Sequence, residues 1–175
     1  MDRLANLLGA QALALTDRLL AAEDRSGDGV SASERAALVT LFAHPDHPVS
    51  WLGGVLGLTS SGITRLVDRL VVAGWVRRDA GADARSRRVQ LTRVGRDRAR
   101  TVLRARGEAM SEVLGVLSES DRIELERLLD LMVSGLADAR LPALKVCRLC
   151  DRTACASEGH ECPLEHTVTT DNVYG

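Results

Sequence analysis

Apolar residues at Leu4, Leu7, Leu8, Ala12, Leu15 and Leu19 recur at helical spacing, with no proline among them. That pattern predicts an amphipathic helix over residues 2–22. Asp2, Arg3, Asp17 and Arg18 interrupt the apolar patches, so the segment does not read as a signal peptide. Arg25-Ser26-Gly27-Asp28-Gly29 breaks the pattern. Ser31, followed by Glu34 at capping-box spacing, then opens a helix that reaches about Ala43. His44-Pro45-Asp46-His47-Pro48 reads as a turn whose histidines face solvent. Residues 50–73 read as two short helices broken at Gly57, and residues 75–78 and 88–92 as two short strands. A long helix continues from Thr92 to about Val116. Ser118 or Ser120 caps another, whose broad stripe is Ile123, Leu125, Leu128, Leu129, Met132, Val133 and Leu136; Pro142 is expected to end it.

The two short helices are specified in detail. A steep crossing needs a small residue where the backbones approach, and Gly53 sits there. A sharp turn needs positive φ, and Gly57 follows four residues later. Leu52, Leu56, Leu58, Ile63 and Leu66 supply a shared core, and Thr59 or Ser60 caps the second helix. Five apolar positions and two glycines agree on one helix-turn-helix register. In the second helix Ile63, Leu66, Val67 and Leu70 face inward. Ser61, Gly62, Thr64, Arg65, Asp68 and Arg69 are left outward. Small hydroxyls and an arginine there suit phosphates and base edges in a major groove. Asp68 would be repelled by phosphates and is expected to pair with an arginine. Trp51 and Trp75 read as core anchors.

Composition adds two facts. Aromatic residues are scarce, so the core must be built from Leu, Val and Ala. No apolar run approaches the roughly 18 residues that span a membrane. The net charge of −1 hides an asymmetry: residues 50–108 hold 13 arginines against 5 acids, +8, leaving −9 elsewhere. A basic segment in a neutral chain marks a site for a polyanion, although solvated helix faces would give the same count. The two strands and the arginine-rich loop between them make a wing. Arg85 or Arg87 is the candidate for its tip in a minor groove, while Arg77, Arg78 and Arg88 flank the backbone.

These segments resemble the MarR family. The match is Thr64-Arg65-Leu66-Val67-Asp68-Arg69-Leu70, then Ala73-Gly74-Trp75-Val76-Arg77-Arg78, then Asp83-Ala84-Arg85, then Val89-Gln90-Leu91-Thr92 with Gly95 shortly after. It covers about residues 2–139. The resemblance implies a homodimer that binds pseudo-palindromic promoter DNA, with the first and last helices at the dimer interface. It also implies that a ligand or oxidant relieves repression, the ligand sitting between the dimerisation helices and the DNA-binding lobe. The expected fold is mainly α: a winged helix-turn-helix with long dimerisation helices and a small two-stranded wing. Dimerisation also follows from the apolar stripes of the first and last helices, which a monomer of this size would expose. A two-fold would set two recognition helices one DNA turn apart, about 34 Å.

The residues beyond depart from the family pattern. All four cysteines fall there, as Cys147-Arg148-Leu149-Cys150, Cys155 and Cys162-Pro163. With no export signal a reducing cytoplasm is expected, where clustered cysteines are metal ligands more often than disulfides. A C-x2-C pair turns two thiolates toward one metal, and two more soft ligands close a tetrahedral zinc site. His160 and His166 are candidate substitutes. Four thiolates ending in Cys-Pro also suit an iron–sulfur cluster, and a thiol redox switch is the third reading.

The expected division is residues 1–48, N-terminal dimerisation helices; 49–93, DNA-binding lobe; 94–140, C-terminal dimerisation helices; and 141–175, a Cys-rich metal-binding tail. Thr59, Ser60, Ser61, Thr64, Arg65, Arg69, Arg77, Arg85, Arg87 and Arg88 are the candidate DNA contacts, and Cys147, Cys150, Cys155 and Cys162 the metal ligands. The function this points to is a transcriptional regulator, most naturally a repressor, whose tail is structural or senses metal or redox state. A winged-helix module that binds protein, with structural zinc, is the alternative. An enzyme lacks support: there is no Gly-rich phosphate loop, nucleophile elbow or H-E-x-x-H.

Overall fold

The computed structural model describes residues 2–24, 29–79 and 88–168. Helix α1 is Arg3–Asp24, α2 Ala32–Ala43, α3 Val49–Leu56 and α4 Ser60–Val72. Strands β1 (Val76–Arg78) and β2 (Val89–Leu91) follow, then the long α5 (Arg93–Leu114) and α6 (Glu119–Ser134). Caps set several of these starts. Ser31 and Glu34 form the capping box expected for α2. The side chains of Thr59, Thr92 and Ser118 accept from Gly62, Gly95 and Asp121 to open α4, α5 and α6.

The core lies around α2, which packs against α3 and α5, while α5 also packs on α1. Ala37, Leu38 and Leu41 of α2 meet Leu52 of α3, Ile63, Leu66, Val67 and Leu70 of α4, and Val76, Val89 and Leu91 of the strands. Trp51 and Trp75 pack at its edge, as anchors should. The strands pair antiparallel, with Val76 opposite Leu91 and Arg78 opposite Val89. Their valines and Leu91 face the core, and the arginines face out.

Two expectations need correction. Pro142 does not end α6. That helix stops at Ser134, capped by Gly135, and Pro142 is the third residue of a further helix, α7 (Arg140–Val146). A first-turn proline is tolerated because its missing N–H would have had no partner within the helix. Nor are His44 and His47 solvated. Both are half-buried; His47 stacks on Trp51 with ring centroids 3.8 Å apart, and His44 meets the same indole edge-on at 5.7 Å. Burial, then the charges of Arg152 and Arg140, push the His44 imidazole down to about 4.

The tail is structured over its described part. After α7 come α8 (Arg152–Cys155) and 3₁₀ turns at Ser157–Gly159 and Glu165–Thr167. Ala137, Ala143 and Leu164 form a small second core, with Val133, Cys147 and Cys162 packed against it. Among the described residues, no helix is long and apolar enough to cross a membrane.

Candidate nucleic-acid interface and cysteine cluster

The helix-turn-helix follows from its two glycines. A Cβ on Gly53 would lie 3.2 Å from Ile63 Cγ2, so the α3–α4 crossing leaves little room for one. Gly57 adopts φ 66°, and Leu58 N–H donates to Gly53 O at 2.9 Å to close the turn. This presents Thr59, Ser60, Ser61, Thr64 and Arg65 together on an exposed ridge at the start of α4. Thr64 Oγ1 donates to Ser60 O at 2.8 Å, and Arg65 Nε donates to Ser61 O at 3.3 Å, which lays the guanidinium along the helix N-terminus.

Arg69 is differently placed. Its Nε donates to Glu34 Oε1 at 2.8 Å, tying α4 to α2. Glu34 also accepts from the backbone N–H and the hydroxyl of Ser31, both at 2.8 Å. Burial alone would raise its pKa, but the bonds from Arg69 and Ser31 outweigh it and hold the carboxyl below its usual range. Nothing in the spacing of Glu34 and Arg69 announced this tie; the capping box was the only visible signal. Asp68 does pair with an arginine: Arg78 Nη2 lies 2.6 Å from Asp68 Oδ1.

The base of the wing is held by a network that the sequence reading missed. Asp46, at φ 64°, accepts from Arg88 Nη1 on its carbonyl at 2.6 Å and from the Gln90 amide on its carboxylate. Arg77 Nη2 donates to Gln90 Oε1 at 2.5 Å. Arg77 and Arg88 stay exposed while these bonds hold their guanidinium groups. Arg85 and Arg87 lie outside the described residues.

The same fold leaves apolar surface uncovered. In the chain as described α6 has no buried residue, and Ile123, Leu128, Leu129, Leu131 and Met132 are exposed along it, as are Leu4, Leu7 and Leu8 on α1. A cavity of ≈280 Å³ lies between α1, α2 and α5; its lining includes Leu19, Leu20, Val102, Arg35 and Arg98.

All four cysteines line one open cavity of ≈500 Å³, with His44, Arg140, Arg152 and His160. All four are half-buried free thiols. Cys150 donates to Cys147, and Cys155 donates to Cys150 and to Cys162. The bond from Cys150 lowers the Cys147 pKa, whereas that bond and burial raise Cys150, and burial pushes Cys155 up to about 11. A run of pairwise contacts is not yet a common centre: among the described residues, no group of three or more His, Cys, Asp or Glu stands in metal-holding geometry. His166 is not placed to substitute. Its ring nitrogens lie 3.2 Å from Pro163 O and 3.1 Å from Ala137 O.

Residues 28–86, which take in α2, α3, α4 and β1, match the family model described as MarR family. The fold, mainly helical with a small two-stranded antiparallel sheet, matches the winged helix of MarR-family structures. The chain is 30% identical over 111 residues to the transcriptional repressor MprA of Escherichia coli K12, a stretch covering 62% of this chain and 63% of that one. The match thus spans under two thirds of the relative's length. A MarR family protein from Bacillus stearothermophilus superposes with a TM-score of 0.64 at 26% identity, over 74% of this chain and 89% of that one. The Mycobacterium tuberculosis MarR family protein Rv2887, solved in complex with salicylic acid, gives 0.57 at 25% identity, over 75% and 97%. The tail cysteines, beginning at Cys147, lie beyond the residues that match the family model.

Proposed function

We propose that this chain is a DNA-binding transcriptional repressor that acts as a homodimer on a pseudo-palindromic operator. The observation that carries the reading is the exposed ridge of hydroxyls and Arg65 on a helix whose opposite face is wholly buried. Thr59, Ser60, Ser61 and Thr64 reach phosphates at the groove edge, and Arg65 reads a base edge. Arg77 and Arg88 meet the flanking backbone, Arg85 and Arg87 enter the minor groove, and Arg69 contributes charge from its ion pair with Glu34. The exposed leucines of α1 and the apolar stripe of α6 form the two-fold interface. The protein works in the cytoplasm, beside its DNA.

The cavity between α1, α2 and α5 takes a small effector. Its apolar walls and arginines suit an aromatic carboxylate, the chemistry of the salicylic acid bound by the tuberculosis relative.

The test uses duplex DNA enriched by the full chain from a random-sequence pool. The logarithm of affinity should fall linearly with the logarithm of salt concentration, with a slope of about −0.9 per phosphate contact. Replacing both Arg85 and Arg87 with Ala should flatten it by about one to two units. Arg65→Ala should cost about 1–3 kcal/mol on the selected sequence and relax preference near its contact. Binding that ignores salt, or no enrichment at all, would sink the reading in favour of a module that binds protein.

A further inference from the structure

The tail is fastened at three points, to α3 of the DNA-reading lobe and to α2 and α5 beside it. Leu141 of α7 seats on α3, its Cδ1 3.5 Å from where a Cβ of Gly54 would stand. Thr40 of α2 donates its hydroxyl to Arg148 O at 3.2 Å. Arg106 of α5 donates to Leu149 O at 2.9 Å. Arg148 and Leu149 are the two residues inside the C-x2-C turn, which Cys150 N–H closes on Cys147 O at 2.8 Å. The loop that carries two thiols is therefore held by α2 and α5, and the helix before it rests on the first helix of the helix-turn-helix. The other two thiols come from the end of α8 and from the start of the segment that His166 clips to Ala137 just beyond α6.

The four thiols line one cavity without yet forming a common centre, so a zinc ion would have to draw them together. Four sulfurs, each 2.3 Å from zinc in a tetrahedron, stand about 3.8 Å apart. Arg140 and Arg152 line the same cavity and offset the double negative charge of a zinc tetrathiolate.

We propose that Cys147, Cys150, Cys155 and Cys162 bind one zinc ion, and that the loaded tail braces α2, α3 and α5 so that zinc occupancy sets affinity for DNA. The second half rests on the DNA-binding reading above. Binding releases the thiol protons to solvent and changes no oxidation state. The segment has only a small core of its own, so zinc supplies much of its folding energy. Without zinc the C-x2-C loop loosens, Leu141 leaves Gly54, and α3 no longer holds α4 at a fixed angle.

The full chain, purified without chelator or affinity-tag metal, should carry about one zinc per chain by elemental analysis. Each of C147S, C150S, C155S and C162S should lose it. Iron with matching acid-labile sulfide, or no metal at all, would overturn the zinc assignment. Stripping zinc with a chelator should speed hydrogen exchange at the amides of Leu52 and Val55 on α3. It should also weaken binding to the selected duplex, roughly 5- to 150-fold for a typical coupling between sites. Because a lost ligand can unfold the tail, Leu141→Ala and Thr40→Val serve as the second pair. Both keep four thiolates, so they should keep zinc, bind DNA more weakly than wild type and respond less to chelator. If zinc loss leaves exchange on α3 and DNA affinity both unchanged, the brace is wrong. If exchange on α3 responds but no duplex binds, the brace stands and the DNA reading fails.

Discussion

Gly95 shows how much one missing side chain can decide. A Cβ there would fall 1.9 Å from the carbonyl oxygen of Trp75, a backbone atom that Thr92 N–H and Thr92 Oγ1 both hold in place. Gly95→Ala should therefore destabilise the fold by about 1–3 kcal/mol or more, read as a lower denaturant midpoint. Gly107 lies in the same helix with nothing described within 4 Å, and Gly107→Ala should stabilise by about 0.5–1 kcal/mol. Equal effects of the two would mean that the close approach at Trp75 is not there. His44 makes a second case. Its half-buried imidazole is held neutral down to about 4, while the unfolded chain takes up a proton near 6.5. The stability it contributes is then fully present above pH 6.5 and is lost as pH falls from 6.5 toward 4. The His44 ring resonance in an NMR titration should not shift above pH 5; a midpoint near 6.5 would place the ring in solvent.

At the scale of elements, the recognition helix is set by three partners. Gly53 fixes its distance from α3, the Gly57 turn its angle, and the Glu34–Arg69 pair its rotation against α2. Glu34 serves the α2 capping box and the inter-helix tie with one carboxylate, so Glu34→Ala removes both. The expected cost is about 1–3 kcal/mol in thermal or chemical unfolding. The sign with pH follows from the depressed carboxyl: its contribution is present above the ordinary value of 4.5 and is lost as pH falls through the folded value. The mutant should thus show a shallower loss of stability in acid than wild type, and parallel curves would count against the tie. Much of this scale was legible from sequence. The caps at Ser31, Thr59 and Ser118 and the helix-turn-helix glycines are local signals that act within about four residues. The Glu34–Arg69 tie was not legible, because it spans 35 positions and no periodicity links them.

For the whole molecule, the unresolved energetic question is the apolar surface of α1 and α6. Leu4 and Leu8 stand one turn apart on α1 and are 76% and 50% exposed, a steep cost for a chain that stayed monomeric. Replacing both with Glu should raise the dimer dissociation constant by at least about tenfold, since each buried leucine is worth about 1.5–3 kcal/mol. Analytical ultracentrifugation reads this directly. A wild type that sediments as a monomer, or a double mutant that dimerises as well as wild type, would remove α1 from the interface.

The sequence by itself determined the elements through α6, the register of the helix-turn-helix and the inward face of α4, because each depends on spacing along one helix or strand. It also marked the four cysteines as a group. It misplaced Pro142, whose effect depends on whether a helix is ending or beginning there. It left His44 and His47 in solvent, because only the packed turn brings Trp51 against them. Only the tertiary structure decided where the cysteine tail goes. Carbonyls and apolar side chains carry no address in sequence, so Thr40, Gly54 and Arg106 became its supports only when α2, α3 and α5 had packed into one surface.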